Sequence, residues 1–352
     1  MVPELYEKFQ DWEGAWVTAQ DWLWRRDVPA PACDRCGALL EFDGLDTLAN
    51  VTLNGEVVLR SDNQHVRHAV RVDDVVRFGA TNALEVAIAS PVAATDQRRD
   101  EYPVPLARKP NAYLGRDTHP QFLRKDQSNF GWDWGPAAAT SGIWRPARLV
   151  AFRVARLQAP VVHVVGGEGG RPFVVKVRAE VQRVAGSGPL TVKVAVAGVV
   201  AEAAVVCEAD APAGAADLEL RVAGPALWWP HGLGPPTLHE LVVELWGPAP
   251  GGAGPDSGGL VGLGRVERRV GFRTFEVREE APGGGAARRR MAFAVNGKEI
   301  FSKGANVVPL DALDGRVTEA TIDTVLQSAQ DAHFSEYMLG CAWRGRGLTW
   351  TD

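Results

Sequence analysis

The sequence between positions 130 and 136 reads Phe130-Gly131-Trp132-Asp133-Trp134-Gly135-Pro136. The glycines and the proline interrupt regular structure, and strand alternation would place both indoles on one face with Asp133 on the other. The pattern therefore predicts a loop that presents two indoles and one carboxylate to a single target. Indole faces pack on the C–H face of a sugar ring, and a carboxylate accepts hydrogen bonds from sugar hydroxyls. These residue types indicate a sugar contact.

The same residues also allow a structural interpretation. Large aromatic side chains are on average well buried, so a buried tryptophan-rich turn would explain them as well. In that case Asp133 would accept hydrogen bonds from backbone N–H groups. The residues of the loop alone leave both interpretations open.

The flanking sequences extend the pattern on both sides. Upstream stand Arg124-Lys125-Asp126-Gln127-Ser128-Asn129, and downstream Thr140-Ser141-Gly142-Ile143-Trp144-Arg145-Pro146. The whole block resembles the β-mannosidases of glycoside hydrolase family 2, whose N-terminal sugar-binding domain carries an RK-x-Q-x-x-F-x-WDWGP…T-x-GIW block. In that family the loop reaches the active site of a separate barrel. The resemblance implies that Trp132 and Asp133, with Trp134, bind the sugar at the cleaved end.

Composition limits the class of protein. A chain of 352 residues predicts two or three domains, and 46% hydrophobic with 23% charged residues is typical of a globular protein. A net charge of −5 without a basic stripe argues against a nucleic-acid partner. No apolar run is long enough to span a bilayer, so we expect no membrane partner. The oligomeric state stays open.

The N-terminus bears on the cellular compartment. Glu4, Glu7, Asp11 and Glu13 fall where a signal peptide would be apolar, which favours a cytoplasmic chain. The family motifs are recognisable only from about Trp22, inside the family's first domain. A lysosomal or secreted location therefore stays open.

The cysteines are interpreted as loop thiols. Cys33-Asp34-Arg35-Cys36 has the spacing of a redox pair or half a zinc site, but Cys207 and Cys341 are isolated and supply no second pair. We therefore expect no metal and no cofactor.

Residues 20–155 predict a β-sandwich, because short alternating segments are separated by turns. Asn54-Gly55 between two β-rich runs is a strong hairpin signal. His65–Val72 predicts a half-buried strand with His65 and His68 on its surface. The aperiodic segment from Ser90 to Gln121 is interpreted as a structured excursion that supports the loop. By resemblance, 1–155 is a jelly-roll-like, galactose-binding-like domain.

Residues 156–278 predict an immunoglobulin-like β-sandwich from several alternating segments. Trp228 and Trp229 are expected in its core. The Gly/Pro-rich insert 247–259 is interpreted as a mobile hairpin tip.

Residues 279–352 resemble the start of the family's (β/α)₈ barrel. After a hairpin at Asn296-Gly297, Lys303–Pro309 resembles the first barrel strand, although the family usually has tryptophan where Val307 stands. Asn306 lies near the end of that strand and is interpreted as a sugar ligand or a structural turn residue. Thr318 is expected to cap a helix, and no strand is predicted beyond Asp331.

The resemblance implies a retaining hydrolase that removes terminal non-reducing β-D-mannose residues from mannosides or mannose-containing oligosaccharides. Retaining glycosidases need two carboxyl groups about 5–5.5 Å apart. The family carries both glutamates on later barrel strands, which have no counterpart here. We therefore expect no catalytic residue in this chain, a fold that is mainly β with an incomplete barrel, and no activity of the chain alone.

Two alternatives belong to other functional classes. The first is a non-catalytic carbohydrate-binding or interaction protein, which the aromatic–carboxylate loop fits. The second is a fragment of a longer sequence with exposed apolar surface around residues 291–352. An unpaired strand and helix in this region would favour association.

Overall fold

The computed structural model describes residues 15–104, 109–111, 116–131, 137–208, 211–250, 259–280, 290–311 and 313–339. The chain packs as two compact units. The first runs to Ala151 and includes Asn306–Val325, and the second runs from Phe152 to Ala305 and includes Leu326–Tyr337. The division of the sequence into domains 1–155, 156–278 and 279–352 stays a prediction.

The first unit is built mainly of strands. Its helices and strands are α1 (Ala15–Thr18), β1 (Trp22–Pro29), β2 (Gly37–Phe42), β3 (Leu48–Leu53), β4 (Glu56–Asp62), β5 (His68–Arg71), β6 (Thr81–Ile88), α2 (Pro91–Glu101), β7 (Lys109–Asn111), β8 (Arg116–Thr118) and β9 (Ala147–Phe152). One sheet has the order β1-β6-β3-β4 and a second the order β5-β2-β9, while β7 pairs with β8.

The two larger sheets of this unit pack face to face. Leu40 and Phe42 of β2 belong to the same buried cluster as Val51 of β3 and Val86 of β6. Alternation along β6 buries every second side chain, as expected for a strand with one face on a core. The hairpin at Asn54-Gly55 is confirmed, with φ of 52° and 91° at its two central residues. The predicted sandwich is therefore present.

Three local predictions in this unit need correction. The segment after Ser90, where no helix is predicted, begins with the 11-residue helix α2, whose N-cap Ser90 accepts a hydrogen bond from the backbone N–H of Ala93. Cys33 and Cys36 are not free thiols but are joined in a disulfide. The strand predicted from His65 begins only at His68.

The described residues of the second unit form two larger antiparallel sheets and a smaller one. Its strands are β10 (Ala155–Leu157), β11 (Val161–Gly166), β12 (Phe173–Arg183), β13 (Thr191–Val196), β14 (Val199–Ala204), β15 (Ala213–Val222), β16 (His239–Gly247), β17 (Val261–Val270), β18 (Phe275–Glu280), β19 (Arg290–Val295) and β20 (Lys298–Ile300). In one sheet β12 pairs with β10, β11 and β15, and the other has the order β14-β13-β16-β17. Strands β18-β19-β20 form a smaller sheet.

The core of this unit lies between its two larger sheets. Val175 of β12 and Leu220 of β15 share a buried cluster with Val194 of β13 and Val243 of β16. This arrangement is the predicted β-sandwich. Trp228 and Trp229, expected in the core, are only partly buried, and the guanidinium of Arg273 lies 4.3 Å from the ring centroid of Trp228. The predicted hairpin tip connects the paired strands β16 and β17, and its residues 251–258 lie outside the described parts.

The C-terminal part contains β21 (Gly304–Val307), α3 (Glu319–Asp331) and β22 (Glu336–Leu339). Thr318 caps α3 as predicted, because its Oγ1 accepts a hydrogen bond from the backbone N of Thr321 at 3.2 Å. The prediction of no strand beyond Asp331 is wrong, since β22 pairs with β21. In the described residues these two strands do not close a barrel. None of the helices described has the length and apolar character needed to cross a membrane.

The hairpin at Asn296-Gly297 allows a matched test of turn geometry. Gly297 has φ of 75°, and an added Cβ would meet no atom within 4 Å. Gly262 in β17 has equally open surroundings without a positive φ. We expect Gly297→Ala to lower the free energy of unfolding by about 1 kcal/mol, because a side chain disfavours the left-handed region. Denaturant unfolding should show no loss for Gly262→Ala, and equal losses would contradict the explanation.

His68 gives a pH-dependent prediction. Its Nε2 lies 3.1 Å from Ser61 Oγ, and burial lowers the pKa of His68 from 6.5 more than the nearby Asp62 raises it. The unfolded chain then binds the proton more readily than the folded chain. The stability contributed by the neutral ring is therefore complete above pH 6.5. It is lost as the pH falls through the pKa that His68 has in the folded chain, which lies below 6.5.

We therefore expect wild-type stability to fall more steeply than that of His68→Gln between about pH 7 and pH 5. Denaturant unfolding of both proteins at several pH values measures the two slopes. Parallel slopes would show that His68 does not contribute.

Candidate functional site

The predicted sugar-binding residues fall in two places. Trp132, Asp133 and Trp134 lie outside the described residues, so their predicted role stays a prediction. Asn306 lies in β21 with its side chain exposed. The structure does describe the chain on both sides of the loop, which we call the N-terminal arm (residues 124–131) and the C-terminal arm (residues 137–142).

The two arms meet where the loop begins and ends. The backbone N–H of Ala138 donates to the carbonyl oxygen of Asn129 at 2.8 Å. Phe130 and Ala139 are both completely buried and belong to one apolar cluster with Leu123 and with Val92 of α2. Burial of apolar groups from both arms in one cluster fixes the base of the loop. Residues 132–136 are therefore connected at both ends to ordered, buried chain.

A buried ion pair lies at this base. Lys125 Nζ donates to Asp46 Oδ2 at 2.5 Å, and the exposed fractions of the two side chains are 0% and 2%. The same ammonium donates to Thr140 Oγ1 at 2.9 Å, and the Thr140 hydroxyl donates to Asp46 Oδ2 at 2.8 Å. The three groups form a closed hydrogen-bonded triangle, which we call the Lys125 triangle. A buried charge requires such compensation, because its transfer from water is costly.

Asp46 is itself held by its neighbours. Its backbone N–H donates to the carbonyl of Gly142 at 2.8 Å, and its backbone carbonyl accepts from the N–H of Gly142 at 2.8 Å. Its second carboxylate oxygen accepts a hydrogen bond from the hydroxyl of Thr47. Because Asp46 lies between β2 and β3, these bonds attach the C-terminal arm to the connection between the two sheets of the sandwich.

The next residues of the N-terminal arm are also structural. Asp126, 3% exposed, accepts from Gln64 Nε2 at 3.0 Å, and its backbone N–H donates to Gln64 Oε1 at 3.1 Å. Gln127 Nε2 donates to the carbonyls of Pro120 and Lys125, both at 3.0 Å. Lys125, Asp126 and Gln127 thus support the base of the loop rather than project to a ligand.

Trp144 follows the C-terminal arm and packs on the backbone of Gly44. A Cβ at Gly44 would lie 2.4 Å from Trp144 Nε1, so position 44 has no room for a side chain. The guanidinium of Arg145 stacks on the same indole at 4.1 Å from the ring centroid. The downstream half of the sequence block is therefore part of the same support.

The buried carboxylates of this base do not form an acid/base pair for catalysis. Asp46 and Asp126 are each enclosed and hydrogen-bonded within the fold. Their environment suits holding a loop in place rather than transferring protons to a ligand. Among the described parts of the chain, no group of three His, Cys, Asp or Glu side chains is arranged to hold a metal ion.

Comparison with known protein families first indicates the class of domain to which the N-terminal part of the chain is similar. A family model described as "Glycosyl hydrolase 2 galactose-binding domain-like" matches residues 1–145, which include both arms of the loop. The match begins at residue 1, upstream of Trp22, so the similarity is longer than the motifs alone indicate.

The more particular similarity is to β-mannosidases. The chain is 26% identical over 347 residues to the β-mannosidase of Rattus norvegicus, which covers 95% of this chain and 37% of the relative. It is 31% identical over 324 residues to β-mannosidase B of Neosartorya fischeri, covering 90% of this chain and 35% of the relative. The resemblance to the β-mannosidases of glycoside hydrolase family 2 is thereby confirmed. The chain spans little more than a third of the length of these relatives.

Solved structures agree with this similarity. The β-D-mannosidase of Dictyoglomus thermophilum superposes with a TM-score of 0.78 at 27% identity, over 96% of this chain and 39% of that one. The exo-chitosanase CsxA of Amycolatopsis orientalis gives a TM-score of 0.65 at 18% identity, over 92% and 33%, which shows a shared fold alone.

Two residues of the base carry no local sequence signal. Asp46 stands 79 positions before Lys125, and Gln64 stands 62 positions before Asp126. The Arg-Lys-Asp-Gln run offers one indirect signal. If its lysine is buried, it needs an acidic partner elsewhere in the chain, but the run does not identify that partner.

The ion pair gives a matched prediction on stability. We expect Lys125→Met to lower the free energy of unfolding by about 3–5 kcal/mol, because it leaves the buried Asp46 carboxylate unpaired. The exposed pair Lys193–Glu202, with 3.4 Å between Nζ and Oε1, provides the control. Lys193→Met should cost less than about 1 kcal/mol. Denaturant unfolding compares the two, and similar losses would contradict the assignment of a buried charge pair.

Proposed function

We propose that this chain contains the sugar-binding part of a β-mannosidase-type glycoside hydrolase, and that the loop between the two arms binds a terminal β-mannosyl group. The observation that carries the proposal is the base of the loop. The residues of the motif that flank Trp132, Asp133 and Trp134 are folded into one buried support. The similarity to β-mannosidases over about nine tenths of the chain supports the same substrate class.

The chemistry of the loop fits a mannoside. Trp132 and Trp134 offer indole faces for the C–H face of the sugar ring, and Asp133 offers two acceptor oxygens for its hydroxyls. A loop whose ends are fixed binds with a smaller loss of conformational entropy than a free loop. The anchored arms therefore suit recognition of a small polar ligand.

Asn306 is the second proposed contact. Its amide carries both donors and an acceptor, and the side chain is exposed in β21. These properties suit a hydrogen bond to a sugar hydroxyl near the end of a strand of the barrel type. We assign it a binding role and no catalytic role.

For the reaction we propose retaining hydrolysis of terminal non-reducing β-D-mannose residues by a longer protein that contains this part. Such a reaction needs an acid/base carboxyl and a nucleophilic carboxyl about 5–5.5 Å apart. Asp133 alone cannot supply both, so we assign no catalytic residue to this chain and expect it not to hydrolyse mannosides by itself.

A second candidate function, as an interaction module, is favoured by one exposed surface. The sheet of β18, β19 and β20 presents Phe275, Val277 and Met291, which are 59%, 53% and 63% exposed, and Phe301 after it is 80% exposed. Adjacent exposed apolar side chains of this kind are typical of association surfaces. This candidate requires association of chains and no affinity for mannose.

Calorimetric titration with mannose, beside hydrolysis of a chromogenic β-mannoside, tests the proposal. We expect binding without turnover, and at least about tenfold weaker binding for Asp133→Ala, since a hydrogen bond to a charged group contributes about 1.5–3 kcal/mol. Trp132→Phe should also weaken binding, whereas the control Trp229→Phe in the second unit should bind as the wild type does.

Turnover by the chain would contradict the assignment of no catalytic residue. Absence of mannose binding, with concentration-dependent association in analytical ultracentrifugation, would favour the interaction module. Equal affinity of Asp133→Ala and the wild type would exclude the loop as the site.

A further inference from the structure

Asn50 begins an Asn-Val-Thr triplet in strand β3 of the first unit. Such a triplet, Asn-x-Ser/Thr with x other than proline, is the acceptor sequence for N-linked glycans. Asn50 is the only asparagine of the sequence that Ser or Thr follows at the second position. A triplet of this length also arises by chance, so its place in the fold decides whether it can carry a glycan.

The side chain of Asn50 lies on the outer face of the sheet β1-β6-β3-β4. The residues of β3 that face the core are Ala49, Val51 and Leu53, and all three are buried. Asn50 is exposed. Because side chains alternate between the two faces of a strand, Thr52 lies on the same outer face as Asn50. The amide and the hydroxyl of the triplet therefore stand on one surface, away from the core.

The neighbours of Asn50 on this face leave room for a large group. Asn50 pairs with Arg60 of β4 on one side and with Ala87 of β6 on the other. Both of these neighbours are exposed. Beyond Ala87 the register reaches Leu23 of β1, which is 50% exposed. A glycan on Asn50 Nδ2 can therefore extend over this face, and cover Leu23, without displacing any part of the core.

Folding does not explain an asparagine at this position. Asparagine is depleted in strands, where β-branched and aromatic residues pack better. Within the described residues the Asn50 side chain forms no hydrogen bond. By contrast, the amide of Asn54, in the hairpin after β3, donates to the carbonyl of Val75 at 2.8 Å and to Asn82 Oδ1 at 2.7 Å. Asn54 has a structural role, whereas a glycan on the Asn50 amide removes no bond from the fold.

A second and independent feature concerns the compartment. Cys33 and Cys36, in the connection between β1 and β2 of the same unit, are joined in a disulfide. Disulfides form and persist in oxidising compartments and are rare in the cytosol. N-linked glycans are added in the oxidising lumen of the secretory pathway. The disulfide and the triplet therefore favour the same compartment.

We propose that Asn50 is an acceptor site for an N-linked glycan, with a lipid-linked oligosaccharide diphosphate as the donor and a membrane-bound oligosaccharyltransferase as the enzyme. In the transfer, Asn50 Nδ2 forms a bond to C1 of the first sugar. The bond between C1 and the diphosphate oxygen breaks, the lipid diphosphate leaves, and the amide proton passes to a base of the transferase. This inference does not rest on the proposed function of the loop.

Translation of the full 352-residue chain in the presence of rough microsomes tests the site. A cleavable secretion signal precedes Met1, and a tag with one acceptor triplet of its own follows Asp352. The chains analysed are those that are protected from added protease and carry the tag glycan, because these chains have met the transferase. We expect two glycans on the wild type. Peptide-N-glycosidase should remove both and, in ¹⁸O water, should incorporate ¹⁸O at position 50.

Three variants separate the triplet from the rest of the strand. Asn50→Gln retains an amide but displaces it by one methylene, and Thr52→Val retains the shape of the side chain without its hydroxyl. Both should carry the tag glycan alone. Thr52→Ser retains the hydroxyl and should carry two glycans. The matched control Asn54→Gln changes an asparagine outside the triplet and should also carry two.

The folded protein gives a second measurement. The untagged chain is secreted from a eukaryotic cell line, and its denaturant midpoint is compared with that of the same sequence produced without glycans in a bacterial periplasm. We expect equal midpoints, because the Asn50 amide holds no bond in the described fold. In the Asn50→Gln background, Glu56→Thr creates an acceptor triplet at Asn54. A glycan there should lower the midpoint, because both hydrogens of the Asn54 amide are bonded.

The outcomes against the proposal are specific. A single glycan on the tagged wild type, with no ¹⁸O at position 50, would overturn it. Two glycans on Thr52→Val would overturn it too, because a position outside the triplet would then be modified. If the glycan at Asn50 lowered the midpoint as much as a glycan at Asn54 does, the assignment of Asn50 to an open outer face would be wrong.

Discussion

The contact between the Lys125 ammonium and the Asp46 carboxylate holds the arms of the loop against the sandwich of the first unit. Both groups are buried, so each needs the other, and the requirement fixes three chain segments at once. One of these segments joins the two sheets. The position of the loop arms thereby depends on the sandwich, and the apolar core of the sandwich supplies the rigid frame against which the arms are fixed.

The sequence block from Arg124 to Trp144 contains residues that build the support of the loop and residues that we propose as ligand contacts. Lys125, Asp126 and Gln127 form their hydrogen bonds within the fold, and Phe130 and Ala139 are buried in one apolar cluster. The proposed sugar contacts Trp132, Asp133 and Trp134 stand between the arms in sequence, outside the described residues. In sequence the block looks like one binding motif. In the described structure most of its residues build a support, and only the short stretch 132–136 is proposed to bind the ligand.

Local patterns in the sequence predicted much of the fold. Alternating segments gave strands of both sandwiches, and the Asn-Gly pairs at 54–55 and 296–297 form the expected turns because both positions adopt positive φ. Helix α2 was not predicted, since its residues show little apolar periodicity, although Ser90 followed by Pro91 is a usual helix start. The pairing of β22 with β21 and of Asp46 with Lys125 depends on residues far apart in the chain, which no local pattern encodes.

The disulfide between Cys33 and Cys36 closes a very small ring, because the two residues are only three positions apart. On the loop-entropy relation, so short a ring removes roughly 2 kcal/mol of chain freedom from the unfolded state, compared with roughly 3 kcal/mol for a 15-residue ring. The cross-link therefore restrains the connection from β1 to β2, while burial of the apolar side chains of both sheets maintains the sandwich itself. A change between oxidising and reducing surroundings acts on that connection first, and the framework that carries the loop arms is largely independent of it.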